Sequence, residues 1–352
     1  MAAKIDEFLR FIVERGGSDL MLASGSKPMM RIYGDLMALD FGHDNSVLTK
    51  ELTKNLIYEI LTDDNIRQFE RTGDLDIAYE IPDCARFRTN VYRQTKGLGI
   101  VMRTIPTVIQ TVEELGLPPG VKKLMRATRG FILVTGPTGC GKTTTLAAII
   151  NEINRQRRAH IVTIEEPIEF VHKCHRSLIT QREVGPHTHS FKNALRSAVR
   201  MDPDIILVGE MRDLETISMA LTTAEMGSLV FGTLHTTSAA KTVNRIIDVF
   251  SYEERNRIRI LLSEALTGVI AQQLIKRADG KGRVAAVELM IGTSSISNTI
   301  RENKVEQMVS IMETGKRYGM QMLDEHLLKL VQDVVINPAD ARRLATNKAL
   351  FD

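Results

Sequence analysis

Residues Gly136-Pro-Thr-Gly-Cys-Gly-Lys142-Thr143 constrain this chain more than any other stretch. They fit the pattern G-x-x-x-x-G-K-[ST] in full. Residues 131–135, just before them, are a short apolar, β-rich run, and residues 143–154 carry a helical pattern. A strand, a glycine-rich turn and a helix in that order let several backbone N–H groups face one anion. The helix N-terminus adds its partial positive charge. Gly136, Pro137, Thr138, Gly139, Cys140, Gly141, Lys142, Thr143 and Thr144 are therefore the expected phosphate cradle. Lys142 is expected to reach the β and γ phosphates, and the Thr143 hydroxyl to ligate Mg²⁺, which makes ATP and Mg²⁺ the expected cofactors. Cys140 lies near a helix N-terminus and a lysine, both of which lower a thiol pKa. The simpler reading is a small residue that fits the turn.

A phosphate loop that hydrolyses its ligand needs acids at the end of a neighbouring strand, to hold Mg²⁺ and orient water. Two stretches qualify. Ile164-Glu165-Glu166-Pro-Ile-Glu169 follows an apolar run and has a proline to end the strand, which makes it a candidate catalytic edge; the weaker alternative is a solvated acidic loop. In Asp204-Ile-Ile-Leu-Val-Gly-Glu210, four apolar residues form a buried strand and Glu210 follows its carboxyl end, where ligands of open α/β sheets bind.

The rest of the chain is organised around that core. Apolar strand-like runs at 131–135, 161–165, 205–208 and 229–234 alternate with helical patterns at 142–154, 191–200, 213–226 and 238–250, which predicts a largely parallel sheet covered by helices. Before residue 104 the order is mixed. A helix at 5–14 leads to short strands at 19–22 and 29–33, a Gly34-Asp35 turn and a strand at 36–39. Helices at 49–61 and 63–71 and strands at 75–81, 85–92 and 98–103 complete an α+β module. From about residue 294 the pattern is helical. The expected layout is an N-terminal domain at 1–103, a linker and hinge at 104–120, an ATPase core at 121–293 and a helical region at 294–352.

Composition narrows the function classes. The formal net charge of +3 gives no strong basic excess, and the chain has no Trp and six Tyr, so phosphate tracking and base stacking along a nucleic acid are disfavoured. No run approaches the roughly 18–20 apolar residues that span a bilayer. Ile5, Phe8, Leu9, Ile12 and Val13 fall on one face of a helix that also carries Asp6, Glu7 and Glu14, unlike a signal peptide. Three widely spaced cysteines make no disulfide framework. A cytoplasmic protein is expected. His172, Cys174, His175, His187 and His189 cluster in sequence but lack a recognised zinc spacing. His326 reads as an ordinary helix residue.

Several of these motifs, in order, resemble the secretion ATPase superfamily of the GspE/PilT type. Thr163-Ile-Glu-Glu-Pro-Ile-Glu169 is similar to its Asp box. Arg200-Met-Asp-Pro-Asp-Ile-Ile-Leu-Val-Gly-Glu-Met-Arg-Asp213 is similar to its Walker B segment, and Phe231-Gly-Thr-Leu-His-Thr-Thr237 to its His box. Gly16-Gly-Ser-Asp19 and Gly315-Lys-Arg-Tyr-Gly-Met-Gln321 match its pilus-retraction group. The resemblance covers nearly the whole chain. It implies a PAS-like N-terminal domain, a RecA-like P-loop ATPase domain with ATP bound between them, and a homohexameric ring. The implied motor retracts type IV pili from the inner face of the cell membrane, which it meets only through an inner-membrane platform protein.

Carried over by position, Lys142 and Thr143 bind phosphate and Mg²⁺, and Glu169 activates water, with Glu165 and Glu166 as rivals. Glu210 is the Walker B acid and His235 a nucleotide-state sensor. Arg88 and Arg103 are candidate arginine fingers, with Arg200 and Arg212 as weaker ones. Three positions depart from the family pattern. Glu166 replaces an Asp, Ser228 stands at the first histidine of the His box, and Ser295-Ile-Ser-Asn-Thr-Ile-Arg-Glu302 lacks the first arginine of a retraction-associated motif. An accessory or divergent pilus or type II secretion ATPase is the alternative within the superfamily. A RecA-like ATPase acting on nucleic acid and a non-hydrolysing nucleotide scaffold are the alternatives outside it.

Overall fold

The two rhythms of the sequence become two sheets. The structure is a computed structural model describing residues 3–32, 35–39, 47–105 and 108–352. It divides into one unit of Met1–Val108 with Pro167–Val171, and a second of Ile109–Glu166 with His172–Asp352.

In the first unit, β1 (Asp19–Ala23), β2 (Met29–Ile32), β3 (Asp35–Ala38), β4 (Asp74–Ile81), β5 (Ala85–Gln94) and β6 (Gly97–Ile105) form an antiparallel sheet. Its order is β3-β2-β1-β6-β5-β4 among the described residues. Residues 33–34 of the expected hairpin turn, and residues 106–107 of the expected linker, lie outside the described residues. Strand β5 alternates buried Ala85, Phe87, Thr89 and Val91 with more exposed neighbours, the period-2 pattern of a sheet with one face on a core. The helix Lys4–Glu14 lays Ile5, Leu9 and Ile12 into the same core.

In the second unit, β7 (Gly130–Thr135), β8 (His160–Glu165), β9 (Leu178–Glu183), β10 (Ile205–Val208), β11 (Leu229–Leu234), β12 (Leu266–Lys276) and β13 (Arg283–Ile291) are ordered β13-β12-β7-β11-β10-β8-β9. All neighbours pair in parallel except β12 with β13. The central strands are apolar throughout because both faces are covered: every residue of β7, β10 and β11 is buried. One core lies on each face of the sheet. The C-terminal helix Leu323–Gln332 puts Leu323, Leu327 and Leu330 against a smaller core with Ile275 of β12 and Ala286 of β13. Strands β9, β12 and β13 and the helix Arg255–Ala265 have no counterpart in the sequence reading.

Among the described residues no helix is long and apolar enough to cross a membrane.

Candidate functional site

The parallel register aligns the carboxyl ends of four strands. Thr135 at the end of β7 is level with Leu234 at the end of β11, and Val208 at the end of β10 is level with Gly232 and Ile164. Whatever follows those strands opens on the same edge of the sheet: the phosphate loop after β7, His235 after β11, Glu210 after β10, Glu166 after β8.

The loop has the backbone that the cradle needs. Gly136 and Gly141 adopt φ of 146° and 87°, a region closed to residues with a Cβ in all but rare cases. A Cβ on Gly136 would also come within 2.2 Å of the Gln272 carbonyl oxygen. Pro137, Thr138 and Gly139 are exposed at the tip, and the helix Lys142–Gln156 begins directly behind them. Lys142 Nζ donates to the carbonyls of Gly136 (2.9 Å) and Pro137 (3.2 Å), which folds its ammonium over the mouth of the loop. The Thr143 hydroxyl and the Glu210 carboxylate offer the hard oxygen donors that suit Mg²⁺. The residues present thus fit a magnesium nucleotide.

Glu210 is held from two sides. Arg212 Nη2 donates to its Oε2 at 2.7 Å, and His235 Nε2 lies 2.8 Å from its Oε1. Facing a carboxylate, that ring nitrogen carries the proton. The Arg212 guanidinium, followed by His235, holds the Glu210 carboxyl down to about 2 against the opposing effect of its partial burial. The backbone around it is pinned as well. Thr233 Oγ1 on β11 donates to the Gly209 carbonyl at 2.6 Å, and Asp213 caps the helix Leu214–Glu225 by accepting from Thr216 N–H. A Cβ on Gly209 would lie 3.1 Å from the Ile164 carbonyl, so this close approach of β10 to β8 favours glycine. Arg212 also reaches Glu166 at 3.7 Å. Sequence reasoning ranked Arg212 low as an arginine finger; the structure makes it the partner of two site carboxylates.

The other predicted residues sort differently. Glu165 is buried and accepts from Thr163 Oγ1 (2.7 Å) and Gln181 Nε2 (3.2 Å), tying β8 to β9. Glu169 groups with the first unit, where Arg88 stands 3.5 Å from it and Arg86 Nε donates to the Ile168 carbonyl at 3.0 Å. Arg103 Nε donates to the buried Asp19 carboxylate at 2.8 Å, and most of its side chain is exposed. Ser228 donates to the Pro203 carbonyl at 3.2 Å and joins two strand starts.

Burial decides the character of Cys140 and His326. The Cys140 thiol is buried and pushed up, not down, because desolvation outweighs Lys142 and the loop N–H groups. His326 is more than a helix residue: it is buried, and its Nδ1 accepts from Val287 N–H of β13 at 3.0 Å. Among the described residues no group of three or more His, Cys, Asp and Glu could hold a metal ion, and His172 of the sequence cluster is a largely buried imidazole whose pKa falls to about 4 by desolvation.

Comparison with known proteins identifies the family and the fold. A family model described as Type II/IV secretion system protein matches residues 6–348. The chain is 51% identical over 341 residues to the type IV pilus retraction ATPase PilT of Pseudomonas aeruginosa, covering 97% of this chain and 98% of that protein. It is 36% identical over 338 residues to the type IV pilus ATPase PilU of the same organism, covering 96% and 87%. Its fold is similar to the crystal structure of the pilus retraction motor PilT with bound ADP, at a TM-score of 0.89 and 41% identity over 99% of this chain and 98% of that one. The second unit is accordingly a RecA-like P-loop domain and the first an α+β N-terminal domain. With sequence and fold in agreement over almost its entire length, the chain belongs to the Type II/IV secretion system protein family.

Proposed function

We propose that this chain is the ATP-hydrolysing motor that powers type IV pilus retraction. The observation that carries the reading is the convergence at one sheet edge of the phosphate loop, Lys142 and a Glu210 carboxylate kept ionised by Arg212 and His235. Its 51% identity to the type IV pilus retraction ATPase over almost the whole chain supports retraction as the direction of work.

The loop N–H groups and Lys142 bind the phosphates of ATP. Mg²⁺, held by Thr143 and Glu210, would neutralise charge on them. His235 keeps Glu210 oriented and reads its position. Glu165 is spent on holding β8 to β9, so the water-orienting role is assigned to Glu169, with Glu166 as its rival. Arg88 and Arg103 stabilise charge that develops on the transferred phosphoryl group. The working assembly is a homohexamer at the cytoplasmic face of the inner membrane, engaged with the platform protein of the pilus machine.

In cells whose own copy carries Glu210→Ala, surface pili should persist while twitching is lost. Normal twitching by that strain would refute the proposal.

A further inference from the structure

Gln272 sits in the middle of β12, over a hundred residues from the phosphate loop, and is 2% exposed. A buried amide costs stability unless both its ends are paired. Here both are paired, and each partner belongs to the loop or its helix. Nε2 donates to the Cys140 carbonyl at 2.6 Å, and Oε1 accepts from Thr145 Oγ1 at 2.9 Å. The main chain of the same residue closes on the start of the loop, since its carbonyl oxygen occupies the place of a Gly136 Cβ. Its Nε2 lies 3.3 Å from where a Gly141 Cβ would be. One residue thus touches the loop at its entry, its final turn and the helix behind it.

The peptide plane gives this contact a direction. In a trans peptide the C=O and the following N–H point opposite ways. With the Cys140 carbonyl turned to Gln272, the Gly141 N–H points the opposite way, away from Gln272. We infer that Gln272 is a positioning residue for nucleotide binding: its side-chain amide sets the orientation of the Cys140–Gly141 peptide and hence of a phosphate-binding N–H. The inference rests on the nucleotide-motor reading above.

The test is binding of a fluorescent N-methylanthraniloyl ADP to the full chain. Gln272→Met has similar length and makes neither bond. It should bind about tenfold more weakly, with a matching rise in KM for ATP and kcat within about threefold of the parent. Gln272→Glu should bind poorly at pH 8 and recover as pH falls to 6, because only the protonated acid can donate to the Cys140 carbonyl; the parent should show no such recovery. If Gln272→Met does not fold, Thr145→Val deletes one of the two bonds with a near-isosteric change and should weaken binding in the same direction. Parent-like affinity in the folded variant tested, or a parent-like pH profile for Gln272→Glu, would overturn the inference. Failure of the parent itself to bind the probe would instead refute the motor reading.

Discussion

His235 Nε2 lies 2.8 Å from Glu210 Oε1, so the residue after β11 and the acid after β10 are joined by one hydrogen bond. If that bond keeps Glu210 in its working orientation, His235→Ala should lower kcat about 10- to 100-fold while ADP affinity changes less than about threefold. A comparable fall in affinity would show that His235 serves the loop and not the acid.

Arg212 supplies the larger share of the effect that holds Glu210 ionised. Arg212→Ala should let that carboxyl rise toward its ordinary value, since a nearby cation favours the charged form. The acid limb of the ATPase pH profile should then move to higher pH, so that turnover at pH 5 falls relative to pH 7.5 more than in the parent. Matching profiles would remove Arg212 from this role.

The three acids of the Asp-box segment should separate. Glu165→Leu removes the Oε1 acceptor that both Thr163 and Gln181 address, and should lower the melting temperature. Glu169→Gln should instead leave stability almost unchanged and lower turnover on the order of 10²-fold. If Glu166→Gln gives that loss and Glu169→Gln does not, the water-orienting role passes to Glu166.

His326 is held neutral by burial, its pKa lowered from 6.5 to about 4. The unfolded chain therefore binds more protons than the folded one between those values. Stability is at its full value above pH 6.5 and falls as pH drops toward 4, by on the order of 3 kcal/mol for this group. His326→Gln should flatten the decline, measured by urea unfolding at pH 7.5 and 5. His172 contributes with the same sign, so it is best replaced separately. An unchanged slope in His326→Gln would contradict the assignment.

What was legible in the sequence depended on how local each feature is. The phosphate loop is contiguous, and its glycines, lysine and threonine state their own geometry. Glu210 was legible because four apolar residues mark the strand whose end it follows. Strand β12 escaped notice because Gln272 and Gln273 interrupt its apolar run; Gln272 is tolerated in the interior only because Cys140 and Thr145, distant in sequence, satisfy it. Arg212 was underrated for the same reason, as its two carboxylate partners come from different strand ends. The grouping of Pro167–Val171 with the first unit reflects packing that no local pattern encodes. The helices capped by Asp213 and Ser238 were placed to within a residue or two, because the capping side chain marks where each begins.

The central claim is an ATP-driven, self-assembled motor whose catalysis depends on Glu210. The most direct measurement is steady-state ATPase activity of the purified chain beside Glu210→Ala, with mass in solution from light scattering. The account predicts Mg²⁺-dependent turnover by a hexamer and its loss in Glu210→Ala at unchanged mass. A monomer without turnover, or a Glu210→Ala protein as active as the parent, would contradict it.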